Sequence, residues 1–408
     1  AAVLEEMFRY PLRDATALNK RGGIIQHFAA EGIAFPFSSI DFDTIEAYLS
    51  NTDERSKVSA QDQSIKSKLS NLIVANTDML LIHKAITSLV ELLKGLHSFV
   101  QSLKLEPNSF YYEESITMLA LKEETISVRL LDQHSGKLHH DLLSEYDMIF
   151  RFRNRDSVKK LLRHLYHLDV YLAVAKTAQE RHFVFPKASE CEELVIEGLY
   201  HPQVKNAVAN SVQLGNNKNI IFLTGANMAG KSTFMKSLSV AMYLAHMGFP
   251  VAAGRMEFPV MDGIYTNINL PDSLGMGASH FYAEVLGLKK VAKELSEGKN
   301  LFIVFDELFR GTNVKDAYEA TIAVVGAFAA KRRSIFVIST HIIEAGEILK
   351  AQHKNLQFLY LPTIMKGSKP VYTYILKEGI TNDRHGMVII NNERILEILE
   401  EGTNQIGK

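Results

Sequence analysis

Cysteine is nearly absent: the 408 residues hold one, Cys191. A single thiol excludes an intramolecular disulfide and fits a reducing compartment, so a cytoplasmic location is expected. Excess charge of either sign is also missing. The net charge is -1, from 45 Lys and Arg against 46 Asp and Glu. Residues 1–190 hold 23 basic and 25 acidic groups, and residues 191–408 hold 22 and 21. Neither half is a basic nucleic-acid-binding block by bulk charge, so any DNA contact must come from a local cluster. Long hydrophobic runs are missing as well. The longest uncharged apolar stretch, ATIAVVGAFAA at 320–330, is too short to span a bilayer and reads as a buried helix. No secretory signal, internal repeat or low-complexity segment stands out. The chain opens on Ala1 rather than Met, as a fragment or processed product would.

What is present is ordinary globular composition, 47% hydrophobic and 22% charged, with length for two or three domains. Residues 1–190 read as mostly helical. From Ile65 to Leu103 apolar residues recur at helical spacing, which predicts a helix about 60 Å long at ~1.5 Å per residue. A second long helix is predicted from Asp156 to His182. Residues 107–140 between them fit a short strand pair or a broken helix equally well. The character changes after Cys191. NIIFLT (219–224), NLFIVFDEL (300–308) and SIFVISTH (334–341) are buried-strand patterns. KSTFMKSLSVAMYLAHMG (231–248) is a helix closed by glycine. LQFLYLP and PVYTYIL, separated by TIMKGSK, read as a hairpin. Strands alternating with helices predict an α/β sheet covered on both faces. The expected division is a helical domain at 1–190 and an α/β domain at 191–408.

The α/β part carries the chemistry. TGANMAGKST (224–233) holds a full GxxxxGK(S/T), with a strand before it and a helix after it. Glycines let such a loop curl so that backbone N–H groups face phosphate oxygens, and the following helix adds its positive end. Lys231 can reach the β- and γ-phosphates, and the Ser232 hydroxyl can ligate Mg²⁺. This is the phosphate cradle of a P-loop ATPase, with ATP and Mg²⁺ as the expected ligands. Asp306-Glu307 follows four apolar residues at a strand end. There Asp306 can hold Mg²⁺ and Glu307 can act as general base; the bland reading is two acids in a helical first turn. His341 ends the next predicted strand, where it can orient water or be an ordinary strand-end histidine. Ser279, in DSLGMGASHFYAEV (272–285), can be a helix N-cap or can present its hydroxyl to a phosphate. With one phosphate loop already present, that second phosphate would belong to another subunit. RFRNRDSVKKLLRH (151–164) holds six Lys and Arg, which fit a solvated helix face or a DNA-backbone contact.

These motifs together resemble the MutS ATPases of DNA mismatch repair and related DNA transactions. TGANMAGKST, DSLGMGASHFYAE, FDELFRGTN and STH stand in that family's order and spacing. LYHLDVYLAVAKTAQERHFVFPKASECEELVIEGLYHP resembles its returning lever helix, and PLRDATALNKRGGIIQHF the start of its helical core. The resemblance implies an ABC-type P-loop NTPase domain preceded by a helical lever and core. It assigns Gly225, Ala226, Asn227, Met228, Ala229, Gly230, Lys231, Ser232 and Thr233 to the phosphate loop. Asp306 falls on the magnesium carboxylate and Glu307 on the base. His341 falls on the switch histidine, Ser279 on the serine facing a partner subunit's ATP, and Asn210 on an asparagine near the nucleotide.

Some positions depart from the family pattern. The loop has alanines at 226 and 229 where proline and a further glycine are usual. Ala207 stands where an aromatic is frequent, which leaves adenine stacking to Tyr374. ITNDRHGMVII lacks the serine–glycine helix start. The family's mismatch-reading and connector domains would precede residue 1. Residues 104–155 leave little room for its DNA clamp, no nuclease-like tail follows, and the C-terminal dimer-forming helices look truncated. The implied function is lever movement on duplex or branched DNA driven by ATP hydrolysis. It would work as a nucleotide-dependent homodimer, with repair proteins as further partners, no membrane, and no mismatch reading of its own. The alternative is an ATP-latched scaffold with slow hydrolysis and no DNA target.

Overall fold

The computed structural model describes residues 2–58, 72–127, 131, 139–190, 192–268, 280–309, 311–367, 369–381 and 394–399. The chain folds as two compact units. One comprises Ala1–Met7 with Gly23–Lys176, and the other Phe8–Gly22 with Thr177–Lys408. The dividing point at Lys176 falls inside the helix Arg155–Arg181 rather than near residue 190.

The first unit is helical. Its longest helix, Leu72–Ser102, packs against Phe42–Ser50, Tyr112–Thr125 and His140–Asp147. Ile86, Leu89, Leu93 and Leu96 bury one stripe of it almost completely, at the three-to-four-residue spacing that keeps them on one face. The 31 residues span about 46 Å at ~1.5 Å per residue. Positions 65–71 of the predicted helix lie outside the described residues. The open choice at 107–140 resolves toward helix over Tyr112–Thr125.

Between His140–Asp147 and Arg155–Arg181 the backbone takes one π-helical stretch, Met148–Arg153. It seats a buried ion pair. The guanidinium of Arg151 and the carboxylate of Asp147 meet at 2.7 Å, both side chains fully buried. Arg151 also donates to the Ser56 hydroxyl and carbonyl, and Asp147 accepts from the Tyr48 hydroxyl (2.8 Å) and the Val58 N–H (3.1 Å). Burial first, and then the Asp147 charge, push the Tyr48 phenol well above its ordinary value. Of the six cations in 151–164 that fit a solvated face or a DNA-backbone contact, Arg151 does neither, because a fully buried guanidinium cannot reach water or a phosphate. Arg155 donates to the Leu49 carbonyl and Arg163 pairs with Glu6. Arg153, Lys159 and Lys160 are exposed.

The second unit is built on two sheets. The larger has strand order β12-β9-β4-β8-β7-β6, where β4 is Ile220–Gly225, β6 Gly263–Asn267, β7 Leu301–Phe305, β8 Ile335–Ser339, β9 Leu356–Leu361 and β12 Lys377–Glu378. All pairs are parallel except β12 with β9. The smaller sheet runs β1-β5-β2-β3, from Lys187–Ser189, Arg255–Pro259, Leu194–Leu199 and Asn210–Leu214. Alternation along the central strands fills two cores. Ile221, Leu223, Val304 and Val337 face the helix Lys231–His246 and residues of the smaller sheet. Ile220, Phe222, Ile303, Phe305, Phe336 and Ile338 face Val291, Val325, Phe328 and Leu349 of the helices His280–Ser296, Val314–Ala329 and Ile343–Gln352. The apolar run at 320–330 falls on the third of these four helices, which ends at Ala329. It buries one face through Thr321, Val325, Phe328 and Ala329 and leaves Ala323 and Ala327 exposed, so the helix is half-buried rather than buried.

The predicted hairpin needs correction. LQFLYL is β9, a largely buried strand paired in parallel with β4. The hairpin forms between Thr363–Lys366 (β10) and Lys369–Tyr372 (β11), within and just after the stretch read as its turn. The reason is burial. A continuous apolar strand goes to the sheet interior, whereas β10 and β11 alternate between half-buried and exposed positions.

The buried ion pair yields the test for the helical unit. Arg151→Ala strands the Asp147 charge and is expected to lower unfolding stability by about 3–5 kcal/mol, read by urea denaturation. A loss under ~1 kcal/mol would be that of a solvated pair and would contradict the packing described.

Candidate functional site

Three neighbouring strands deliver the site. β4, β8 and β7 run parallel; β8 and β7 end within one residue of each other, with Ile338 beside Phe305, and β4 runs two residues beyond Leu223, the partner of Ser339. The segments that follow, 226–230, 340–342 and 306–309, therefore emerge on one edge. Open parallel sheets bind ligands at this carboxyl edge.

The segment after β4 is the glycine loop, and the helix Lys231–His246 starts directly from it. Gly230 has φ 104°, and a Cβ there would lie 3.0 Å from the Tyr374 ring. Gly225 has φ 149°, and a Cβ there would lie 3.2 Å from the Leu361 carbonyl oxygen. Both positions need glycine for conformation and for space. Ala229 is buried, while Asn227, Met228 and Thr233 are exposed and Ala226 is half-buried. The Lys231 amine folds back into the loop and donates to the carbonyls of Gly225 (2.8 Å) and Ala226 (3.2 Å). Burial pushes its pKa below the ordinary lysine value, and the charges of Glu307 and Asp306 oppose that shift. Ser232 donates its hydroxyl to Asp306 Oδ2 at 2.6 Å.

Asp306 and Glu307 follow β7. The other Asp306 oxygen, Oδ1, accepts from the Ser339 hydroxyl at 2.6 Å. Glu307 Oε1 lies 2.7 Å from His341 Nε2, across the gap between the β7 and β8 ends. Glu307 has φ 57° and Phe309 φ 63°, so this turn is held in left-handed backbone by side chains that are not glycine.

Beside the loop is a cavity of about 540 Å³. Its lining includes Asn227, Lys231, Ser232, Thr233, Glu307 and Tyr374. Asn210 is there too, but both ends of its amide are engaged by backbone. It donates to the Tyr374 carbonyl (2.9 Å) and accepts from the Leu376 N–H (2.7 Å). It thereby fixes Tyr374, which is itself left-handed at φ 56°. Asn206, Met228, Glu307 and Tyr374 all combine positive φ with a place on this cavity. Strain of this kind, on the order of 1 kcal/mol or more per residue, gathers at binding sites.

The predicted residues 225–233, Asp306, Glu307, His341, Asn210 and Tyr374 are thus brought to one edge of one sheet. Ser279 lies outside the described residues. The sequence reading missed Ser339; its one signal was a hydroxyl ending the otherwise apolar strand IFVIS. It also missed the wall formed by Tyr200, His201 and Val204.

The donor set suits a nucleotide phosphate with Mg²⁺. A lysine amine satisfied only by loop carbonyls can exchange them for phosphate oxygens. A serine hydroxyl in contact with a carboxylate is an oxygen pair for a hard divalent cation. Among the described residues no cluster of three or more His, Cys, Asp or Glu side chains forms a metal site independent of substrate.

Residues 221–405 match the family model of MutS domain V. That stretch is similar to MutS domain V, a P-loop ATPase domain. The matched stretch contains the glycine loop, Asp306, Glu307, Ser339, His341 and Tyr374, whereas Tyr200, His201, Val204, Asn206 and Asn210 of the cavity precede it. The chain is 28% identical over 304 residues to the DNA mismatch repair protein MutS of Listeria monocytogenes serotype 4a (strain HCC23), covering 70% of this chain and 35% of that protein. It is 27% identical over 290 residues to MutS of Geobacillus sp. (strain WCH70), covering 68% and 33%. For MutS of Persephonella marina the figures are 28% over 252 residues, 60% and 29%. The match spans about a third of the length of each relative. Among the described residues no helix is long and apolar enough to cross a membrane.

Gly230 gives the test of the loop geometry. Gly230→Ala is expected to cost about 1–3 kcal/mol, because it places a Cβ at left-handed φ against Tyr374. Thermal denaturation checks it; an unchanged melting temperature would mean that the loop is not held as described.

Proposed function

We propose that the chain binds ATP with Mg²⁺ in the cavity beside residues 224–233 and hydrolyses it. We further propose that it does so as a MutS-like ATPase acting on duplex or branched DNA, in mismatch repair or a related DNA transaction. One observation carries the reading. A buried lysine, a hydroxyl–carboxylate pair and a carboxylate–imidazole pair converge at the carboxyl ends of β4, β7 and β8.

In this reading residues 225–233 wrap the phosphates, with the positive end of the helix behind them. Lys231 leaves the Gly225 and Ala226 carbonyls for the β- and γ-phosphates. Ser232 and Asp306 hold Mg²⁺, which when bound draws negative charge off the phosphate oxygens. Glu307 takes the proton of the attacking water, and His341 fixes the Glu307 carboxylate and orients that water. Tyr374 stacks on adenine, held in place by Asn210. The helical domain is the part that hydrolysis moves. DNA contact, supported by the similarity to DNA mismatch repair proteins, falls to exposed residues such as Arg153, Lys159 and Lys160.

The second reading is an ATP-driven latch with slow turnover and no DNA target. It is favoured by the internal engagement of Arg151, Arg155 and Arg163, which leaves fewer free cations in that stretch. Turnover with and without homoduplex, mismatched, forked and four-way DNA separates the two. The first reading expects stimulation by at least one of these DNAs that weakens as salt rises.

Two sets of variants test the chemistry and the assembly. Lys231→Ala is expected to lose nucleotide affinity. Glu307→Gln is expected to keep it and to turn over ~10²–10⁴-fold more slowly, as when a general base is removed. Parental turnover by Glu307→Gln would remove the base assignment.

Ser279 is proposed to complete the site of a second subunit, giving a dimer with two composite sites about a two-fold axis. Mixing Ser279→Ala with Lys231→Ala chains would then place both lesions on one site and leave the other intact, so activity partly recovers. No recovery at any mixing ratio, together with a monomeric Glu307→Gln chain in ATP and Mg²⁺ by sedimentation, would end the proposal.

A further inference from the structure

Ser339 is fully buried at the last position of β8, between the phosphate loop's strand and the carboxylate strand. Its hydroxyl does two things at once. It donates to Asp306 Oδ1 at 2.6 Å and accepts from the Glu307 N–H at 2.9 Å. The Ser339 carbonyl then accepts from the Leu308 N–H at 3.2 Å. One residue of β8 thus makes hydrogen bonds to three consecutive residues after β7. An apolar side chain would continue the pattern of Ile335, Phe336, Val337 and Ile338, and would pack equally well in a buried strand. The hydroxyl is therefore not needed for burial.

We infer that Ser339 is a positioning residue for the two carboxylates. With Oδ1 occupied by Ser339, Asp306 presents Oδ2 to Ser232, and this fixes which oxygen faces the phosphate loop. With its N–H held by Ser339, Glu307 keeps the left-handed backbone, φ 57°, from which its side chain reaches His341. A carboxylate free to rotate samples orientations that do not face Ser232. A turn without its hydroxyl acceptor leaves a part-buried N–H unpaired and relaxes toward commoner φ values. Fully buried, Ser339 acts through Asp306 and Glu307, the residues its hydroxyl bonds. This inference rests on the proposed roles of Asp306 and Glu307 in Mg²⁺-dependent hydrolysis.

The test uses the full chain, with Mn²⁺ as a spectroscopic stand-in for Mg²⁺ and ADP as the nucleotide. Mn²⁺ binding is followed by electron paramagnetic resonance, and metal-free ADP binding by calorimetry. Ser339→Ala is expected to weaken Mn²⁺ binding in the presence of ADP by ~10–100-fold, the usual effect of losing a group that orients a metal ligand. Metal-free ADP affinity is expected to stay within about twofold, because the loop and Lys231 are untouched. Ser339→Thr, which keeps the hydroxyl, should restore most of the Mn²⁺ affinity. If Ser339→Ala does not fold, Ser339→Cys supplies the same comparison with a much weaker donor. Parental Mn²⁺ affinity in Ser339→Ala would overturn the inference. So would an equal loss of metal-free ADP binding, which marks general disruption. If the parent itself fails to bind Mn²⁺ and ADP together, the proposed function falls first, and the result is distinguishable because it appears before any substitution.

Discussion

The Asp306 carboxylate is the joint on which the site depends. It sits between two serine hydroxyls, Ser232 at the start of a helix and Ser339 at the end of β8, with both contacts at 2.6 Å. Its own N–H donates to the carbonyl of Asn267 on the far side. A single residue thereby ties the phosphate loop to the ends of β8, through its carboxylate, and β6, through its backbone N–H. Parallel pairing makes this joint available. β4, β8 and β7 advance in the same direction and stop within about two residues of one another, so their following turns share one edge without any long-range loop having to find it. Move one strand by one residue and every inward side chain changes face. The two cores packed on that alternation are what hold the register.

Two costs are concentrated at this edge, and each identifies what the edge is built for. Lys231 is buried with its pKa lowered, which disfavours the charge it carries. Carbonyl oxygens of the loop partly compensate. An anion would compensate better, so the buried lysine leaves electrostatic stabilisation for a ligand to supply. The second cost is backbone strain. Glu307, Phe309, Met228 and Tyr374 hold left-handed angles that glycine would adopt more easily. Selection for stability alone would place glycine there. Side chains at those angles point to a requirement for the side chains themselves, a carboxylate beside His341 and a ring over Gly230.

The legibility of the chain follows the range of each interaction. The phosphate loop, Asp306 and Glu307 were readable because their chemistry is written in consecutive residues between a strand and a helix. The long helices were readable because Ile86, Leu89, Leu93 and Leu96 repeat at helical spacing. The hairpin was misplaced because LQFLYL and PVYTYIL are both apolar, and only the sheet decides which is interior. Ser339 was invisible as a functional residue, since its meaning lies in its distance to Asp306, 33 positions away. Asn210 was visible only through a family resemblance. Its observed bonds to the backbone at Tyr374 and Leu376 are a reach of more than 160 residues that no local pattern encodes.

The basic stretch at 151–164 shows the same limit in electrostatic form. Charge counted along a sequence treats every cation as available. Here the π-helical stretch turns Arg151 inward onto Asp147, where a fully desolvated pair replaces hydration. Arg155 and Arg163 are engaged as well, one with a carbonyl and one with a carboxylate. An exposed pair such as Arg163 with Glu6 adds little stability, and a phosphate can displace it cheaply. A buried pair such as Arg151 with Asp147 cannot be displaced without opening the unit. The two kinds of arginine therefore differ in what they can do for a nucleic acid. Any contact made by this stretch is confined to its exposed cations, and the affinity they supply is the salt-sensitive, sequence-independent kind that charge on a surface provides.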